Sequence, residues 1–215
     1  MILPFVQRWW RRAYRVRLAI CNLVMSLAAK AYLTLWGVKY GVGLRVNSLP
    51  LCRRDPDAVI EIGRDVRIIN KTSENLAGID HRTVFSASEP GARLLIGDHV
   101  GISGAVLYST KEIVIEDQVM LGAGVRIYDT DFHPVNAASR RSKDQADIPA
   151  ESVHIGHDVW VGANVLILKG VTIGPRSVVG AGAVVTKSCP ADSLLAGVPA
   201  RVIRHIENGE SRDLG

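Results

Sequence analysis

The stretch from Ile155 to Lys187 reads IGHDVWVGANVLILKGVTIGPRSVVGAGAVVTK, and it repeats a short pattern without a slip. An aliphatic residue recurs at every sixth position. These positions are Ile155, Val161, Ile167, Ile173, Val179 and Val185. A small residue or Thr follows most of them. One face of an α-helix would instead show apolar residues every three or four positions, so the period excludes an amphipathic helix here.

An earlier part of the chain carries the same pattern in a less regular form. Its aliphatic positions are Ile96, Ile102, Ile115, Leu121 and Ile127, with a fragment at 62–66. Three short strands that make a triangular coil bring every sixth residue to the same inward position, and a small residue fits the corner that follows. The sequence therefore predicts an all-β solenoid of stacked parallel coils.

The charge is divided unevenly along the 215 residues. Residues 1–54 contain ten Arg or Lys and no acidic residue, whereas the remainder holds sixteen basic and twenty-one acidic residues. We predict a basic helical segment and connector at 1–54, a solenoid domain at 55–204 and a C-terminal tail at 205–215. No recognised nucleic-acid-binding module accompanies the basic segment, so we do not expect nucleic acid as a partner.

The three cysteines and the N-terminal sequence bear on the compartment. Cys21, Cys52 and Cys189 have neither a disulfide-framework nor a zinc-site spacing, which predicts reduced thiols in a cytoplasmic protein. No small-residue cleavage site follows the N-terminal apolar stretch, so we expect no cleaved signal peptide.

The segment from Pro4 to Trp36 is predicted to be an amphipathic helix. It begins with arginines interleaved with Trp and Tyr, and then Asn22, Ser26, Lys30 and Thr34 recur every four residues. This polar stripe argues against a bilayer span. Two interpretations stay open: an interfacial helix on anionic lipid, or a helix that caps the main domain.

Three motifs carry a resemblance to a known family. They are Asp158–Asn164 (DVWVGAN), Gly180–Lys187 (GAGAVVTK) and Ala196–Arg204 (AGVPARVIR). With them the chain resembles the hexapeptide-repeat acyltransferases over roughly residues 59–204, and among these the sugar O-acetyltransferases, such as the galactoside and maltose acetyltransferases and polysaccharide-modifying relatives. The resemblance implies a left-handed parallel β-helix, a homotrimer with active sites between subunits, acetyl-CoA as acyl donor and no metal.

The later repeats are interrupted once, between Ile127 and Ile155. We predict a protruding catalytic loop at about 128–152, with His133 as the general base for a hydroxyl group. Asp131 and Asp129 are the nearby carboxylates, and either could orient the His133 ring or contact the acceptor.

The resemblance also implies contacts for the acyl donor. Trp160 would line the active site, Ala163 would present a backbone N–H near the thioester, and cationic residues would meet the phosphates of coenzyme A. The predicted donor contacts are Trp160, Ala163, Ala181, Thr186, Lys187, Arg201 and Arg204.

The acceptor is less well defined by the sequence. The Asn-rich acceptor pattern of galactoside-type enzymes would fall near residues 102–104, where this chain has none, so Ser103, Tyr108 and Asp129 are the predicted substitutes. We expect an O-acetyltransferase for a surface or exported polysaccharide, cytoplasmic or peripheral on the inner membrane. N-acetylation of an amino sugar or nucleotide-linked sugar and a non-catalytic trimeric scaffold remain alternatives. The zinc-ligand grouping of γ-class carbonic anhydrases is not apparent in the sequence.

Overall fold

The computed structural model describes residues 3–142 and 148–207, with the side chains of residues 3–6 outside that description. A long N-terminal helix, α1 (Leu3–Leu35), precedes the strands, as the amphipathic pattern predicts. A 3₁₀ turn occupies Thr72–Glu74, and a short helix, α2 (Ala137–Ser142), lies in the interruption of the repeats.

Twenty short strands follow α1 in the described residues. In chain order they are β1 (Lys39–Tyr40), β2 (Arg45–Val46), β3 (Leu51–Arg54), β4 (Val59–Ile62), β5 (Arg67–Ile69), β6 (Val84–Ala87), β7 (Arg93–Ile96), β8 (Gly101–Ser103), β9 (Val106–Ser109), β10 (Glu112–Ile115), β11 (Met120–Leu121), β12 (Arg126–Tyr128), β13 (Val153–Ile155), β14 (Trp160–Val161), β15 (Leu166–Ile167), β16 (Thr172–Ile173), β17 (Val178–Val179), β18 (Val184–Val185), β19 (Ser193–Gly197) and β20 (Ala200–His205).

These strands form three sheets, which the chain visits in rotation. The first sheet has the order β1-β4-β7-β10-β13-β16, the second β2-β5-β8-β11-β14-β17-β19-β20, and the third β3-β6-β9-β12-β15-β18. Neighbouring strands are parallel except for the final β19–β20 hairpin. Each successive trio of strands therefore makes one turn of a three-sided coil that stacks on the turn before it.

The core is built from aliphatic side chains in register between coils. One such column runs along the first sheet, where each member is the direct partner of the next. It consists of Ile62, Ile96, Ile115, Ile155 and Ile173. All five are buried. Removal of each such side chain from water contributes about 1.5–3 kcal/mol, so the six-residue period supplies most of the driving force for stacking.

The corners of the coils require small residues because successive coils approach closely there. A Cβ atom added to Gly162 would lie 2.7 Å from the backbone nitrogen of Ala181 in the next coil. The same addition at Gly122 would lie 2.7 Å from the nitrogen of Ala163. Glycine at these positions lets Ala163 and Ala181 stack at the corner that follows the second sheet.

The solenoid begins earlier than the predicted boundary at residue 55. Its first coil comprises β1, β2 and β3, which pair with β4, β5 and β6. Val38, Leu44 and Val46 are buried and join the core, so this segment is the first coil and not a connector. The charge pattern at 1–54 concealed it because the arginines in this coil, such as Arg45, point outward while their apolar neighbours point inward.

Helix α1 contacts the coils through its polar stripe and, near its C-terminal end, through Leu33, which is buried in the core. The Asn22 amide donates to the Glu74 carboxylate at 3.0 Å, and the Val46 backbone N–H donates to the Ser26 hydroxyl at 3.3 Å. Ala29 is buried on the same side of the helix. The polar stripe that would ordinarily face water therefore faces the protein.

The opposite face of α1 is apolar and exposed. The large residues on it range from 45% to 74% exposed. They are Trp9, Trp10, Tyr14, Val16, Ile20, Leu23, Val24 and Leu27. By length and composition, the segment Gln7–Leu35 would suffice to cross a membrane. From Asn22 onward, that half of the helix also contacts the coils.

Candidate active site

The interruption between β12 and β13 is anchored by a buried carboxylate. Asp129 is fully buried, and its two oxygens accept hydrogen bonds of 2.8–3.0 Å from Ser109 Oγ, Thr110 N and Oγ1, and Lys111 N. These contacts fasten the start of the interruption to the turn between β9 and β10. Asp129 was predicted to contact the acceptor, and the structure instead places it in the interior, because the partly buried backbone N–H groups of that turn need an acceptor there.

Asp131 makes an ion pair two residues further along the interruption. Its carboxylate lies 3.0 Å from Lys169 Nζ, and both side chains are about one-quarter to one-third exposed. Lys169 belongs to the corner between β15 and β16, so the ion pair ties the interruption to the following coil. Within the described residues no hydrogen bond joins Asp131 to His133, so the structure shows Asp131 as the partner of Lys169 and not as a contact of the ring.

His133 follows a residue in the left-handed region of backbone space. Phe132 has a φ of 62°, and its ring packs against Tyr108 and Tyr128 with centroids 4.9 and 5.1 Å away. Pro134 on the other side is buried. Because both neighbours are packed, the exposed His133 ring is carried on a fixed segment of backbone. No hydrogen-bond partner for the ring is present among the residues that the structure describes.

The predicted acceptor residues do not all lie together. Tyr108 is half-buried on β9, and its ring contacts Phe132, the residue that precedes His133. A cleft of about 350 Å³ at this point is lined by Tyr108, Thr110, Thr130 and Phe132, among others. Ser103 ends β8 on the second sheet, across a corner from Tyr108, and does not line this cleft.

The predicted donor contacts lie on the last coils. Trp160 is 52% exposed on β14, and Ala163 sits at the next corner. Within the described chain the Ala163 N–H donates to no other group, so it is free to bind an oxyanion. Ala181 occupies the same corner one coil later, where its backbone nitrogen and Cα would lie 2.7 and 2.9 Å from a Cβ added to Gly162.

Four residues at the end of the solenoid are exposed. Thr186 and Lys187 follow β18, while Arg201 and Arg204 lie on β20, which contacts β18. In the described part of the chain, none of the three cations pairs with a carboxylate. The hairpin thus presents unpaired positive charge beside the last coil, as phosphate binding would require.

Two other histidines, His154 and His157, form hydrogen bonds with carboxylates. His154 Nε2 lies 2.6 Å from Glu116 Oε1, and His157 Nδ1 lies 2.8 Å from Asp158 Oδ2. Burial opposes the ionisation of Glu116, but hydrogen bonds from His154 and from the His157 backbone lower its pKa overall. Among the described residues, no three His, Cys, Asp or Glu side chains are grouped as metal ligands.

Sequence reasoning missed Lys169 and the 109–111 turn. The repeat places Lys169 at an outward corner, but no spacing rule indicates which loop such a corner faces. Ser109 and Thr110 resemble any polar turn in sequence, because the carboxylate that they bind lies nineteen to twenty residues away.

Comparisons with known proteins agree with this architecture. Residues 152–187 match the family model described as bacterial transferase hexapeptide (six repeats). The chain therefore carries the hexapeptide repeat of bacterial transferases, and the predicted resemblance to hexapeptide-repeat acyltransferases of the sugar O-acetyltransferase type is confirmed.

Individual relatives extend the comparison. The chain is 42% identical over 96 residues to the galactoside O-acetyltransferase of Escherichia coli, a match that covers 45% of each chain. It thus spans less than half the length of that curated relative. A hexapeptide-repeat acetyltransferase from Vibrio cholerae, solved with acetyl coenzyme A, matches 92% of this chain and 89% of its own at 25% identity and a TM-score of 0.54.

A third comparison concerns the fold alone. A variant of an N-acyltransferase from Bacillus cereus, in complex with dTDP and coenzyme A, covers 79% of this chain and 84% of its own. Its TM-score is 0.58 and its identity 19%. The same coils therefore occur in a protein that acylates nitrogen, so the coils by themselves do not specify the acceptor atom.

Proposed function

We propose that this protein is an acetyl-CoA-dependent O-acetyltransferase that modifies a sugar hydroxyl in the synthesis of a surface or exported polysaccharide. The observation that carries the proposal is His133, exposed and unpaired on a segment of backbone that Phe132 and Pro134 hold in place. The similarity to a galactoside O-acetyltransferase and to a relative solved with acetyl coenzyme A supports the donor and the acceptor class.

The chemistry follows from these groups. His133 accepts the proton of the sugar hydroxyl as its oxygen attacks the thioester carbonyl, and the Ala163 N–H stabilises the oxyanion. Collapse of this intermediate breaks the C–S bond, and the imidazolium returns its proton to the thiolate. The products are an acetyl ester and free coenzyme A, so no oxidant or metal is needed to balance the step.

We further propose a left-handed coil and a homotrimer with active sites between subunits. In the described chain, no hydrogen bond or ring contact joins His133 to Trp160 or Ala163. A neighbouring subunit that brings the base to the donor site would complete the arrangement. Under this proposal, co-expression of His133→Ala chains with Trp160→Ala chains restores part of the activity that each variant lacks alone.

We place the protein on the cytoplasmic face of a membrane, held peripherally by α1. Its exposed apolar face and the cations at Arg8, Arg11, Arg12 and Arg15 have the composition of an interfacial helix. Flotation with anionic vesicles at moderate salt tests the location. A protein that stays in the soluble fraction, with or without residues 1–36, contradicts it.

The test of the activity combines purified protein, acetyl-CoA and a panel of sugars, amino sugars and lipid-linked glycans, with free thiol release as the readout. We expect turnover with a hydroxyl acceptor. Turnover restricted to amino sugars would replace the O-acetyl assignment with N-acetylation. If no acceptor reacts and coenzyme A gives no thermal stabilisation, the acyltransferase assignment fails.

A further inference from the structure

A second cleft lies far from His133, between α1 and the first two coils. It measures about 580 Å³. The helix contributes Asn22, Ser26 and Lys30, while Arg45, Asn47, Arg67 and Glu74 come from the coils and the loop after β5. Nothing in the acetyl-transfer chemistry uses this cleft, so its composition needs a separate explanation.

Two arginines in the cleft are stacked directly on each other. Arg45 on β2 and Arg67 on β5 are partners in the parallel register, so their backbones are one strand spacing apart, about 4.8 Å. Like charges in directly opposed positions repel each other. In the described chain neither arginine pairs with a carboxylate. A bound anion would relieve this repulsion and bridge the two guanidinium groups.

The strand beyond the stacked pair leaves space for such an anion. Gly101 on β8 is the partner of Arg67 in the next coil. It carries no side chain, and an added Cβ there would meet no atom within 4 Å. Lys30 on α1 lines the cleft from the other side and makes no ion pair in the described residues. Three cations therefore face one carboxylate, Glu74, across the cleft.

Polar atoms that line the cleft lack partners. Asn22 Oδ1, Asn47 Nδ2 and Glu74 Oε1 are buried without a hydrogen bond in the described residues, and the Asn47 side chain belongs to a residue only 6% exposed. Two of these atoms are acceptors and one is a donor. A phosphate oxygen satisfies a donor, whereas the acceptors need a group that carries its own O–H or N–H. A ligand that carries both a phosphate and hydroxyl groups would satisfy all three atoms.

We propose that this cleft binds a hydroxyl-bearing phosphate ester, of the kind presented by the glycerol phosphate head of an anionic lipid. The cleft also includes Ala19 and Leu23, which continue into the exposed apolar face of α1. A lipid whose head enters the cleft would lay its chains along that face. The assignment of the ligand stands apart from acetyl transfer; only its lipid source rests on the proposed membrane contact of α1.

The cleft lies on the same sheet face as Trp160 of the predicted active site. The outward positions of the second sheet run from Arg45 and Arg67 through Gly101 and Met120 to Trp160. Trp160 is three strands beyond Arg67, or about 14 Å along the stack. A phosphate held at the stacked arginines would therefore lie on the same face as Trp160.

The test uses binding alone, with no acetyl-CoA present. Calorimetry measures binding of glycerol phosphate and of sulfate, and flotation measures binding to phosphatidylcholine vesicles with and without phosphatidylglycerol. The full-length protein is compared with the Arg45→Ala/Arg67→Ala variant. Arg53→Ala serves as the matched control, because Arg53 is an exposed arginine of the first coil on a different sheet. Circular dichroism verifies that each variant is folded.

We expect the double variant to weaken glycerol phosphate binding by about tenfold or more, since two charge-assisted contacts are lost, while Arg53→Ala has no effect. Vesicle binding that falls with the double variant assigns the site to a lipid head. Vesicle binding that does not fall assigns it to a soluble phosphate ester. Equal affinity for sulfate, which carries no O–H at neutral pH, would contradict the role of the hydroxyl groups, and equal losses in Arg53→Ala would overturn the site.

Discussion

The coils bury their aliphatic side chains, whereas helix α1 exposes an apolar face. In the coils, aliphatic residues such as Leu107 and Ile155 are fully buried in one core. On the outer face of α1 the apolar residues are exposed, Leu23 by 64% and Leu27 by 59%, whereas the polar stripe and Leu33 contact the protein. The coils therefore complete their own core, whereas the outer face of α1 is an apolar surface that a membrane or another protein would cover.

Thiol reactivity measures the largest difference between the two regions. Burial raises the pKa of the Cys52 thiol to about 12, against an ordinary value of 9.0, although Arg54 opposes the shift. Cys21 on α1 is exposed. We expect Cys52 to react about a thousandfold more slowly than an unperturbed thiol at pH 8, because only the thiolate reacts. Single-cysteine variants and a chromogenic disulfide measure both rates.

The matched residue pair Leu107 and Leu27 tests the same difference in stability. Leu107→Ala should lower the free energy of unfolding by about 2–5 kcal/mol, because it opens a cavity in the core. Leu27→Ala should change it by less than about 0.5 kcal/mol. Urea unfolding gives both values. Equal losses would mean that the outer face of α1 is buried in the folded protein.

Glycines on the second sheet provide a smaller effect. Gly162→Ala should destabilise the protein by about 1–3 kcal/mol, because its Cβ would lie 2.7 Å from the Ala181 nitrogen. Gly101→Ala is the control, since its Cβ would meet no atom within 4 Å. If both substitutions were tolerated equally, close stacking at the corner would not be what selects glycine.

The smallest expected effect is an acid-dependent one. The pKa of Glu116 is lowered in the folded protein, so its stabilising contribution is complete above its unfolded pKa, about 4.5, and is lost as the pH falls through the folded value. Glu116→Gln should therefore reduce the loss of stability at acid pH. Near neutrality, the thermal midpoint of the variant should depend on pH as that of the wild type does. Thermal midpoints across pH 3–7 measure the difference.

The coils could be predicted from sequence because one period decides them. In the regular part of the stack, each inward aliphatic residue pairs with its equivalent one coil, or three six-residue repeats, further along, as Ile155 does with Ile173, so a local pattern encodes the long-range contact. The start of the stack could not be placed in this way. In its first coil Leu44 and Val46 point inward and Arg45 points outward. This alternation of apolar and charged residues is too short to distinguish a strand from a basic connector.

The sequence could not predict the orientation of α1 or the anchoring of the interruption, because both depend on contacts with distant elements. The polar stripe at Asn22 and Ser26 predicts an amphipathic helix correctly, but not which face meets the protein. That choice depends on Glu74 and on the backbone of Val46, which lie in other elements. In the same way, the burial of Asp129 and the pairing of Asp131 with Lys169 depend on which turns the stack brings together.

His133→Ala tests the central claim most directly. Turnover of acetyl-CoA with a reactive acceptor should fall by about 10²–10⁴-fold, because general base catalysis contributes that much, while the dissociation constant for coenzyme A stays unchanged. The unchanged affinity separates lost chemistry from lost folding, since the ring makes no described contact that the fold needs. A variant that keeps wild-type turnover would contradict the account.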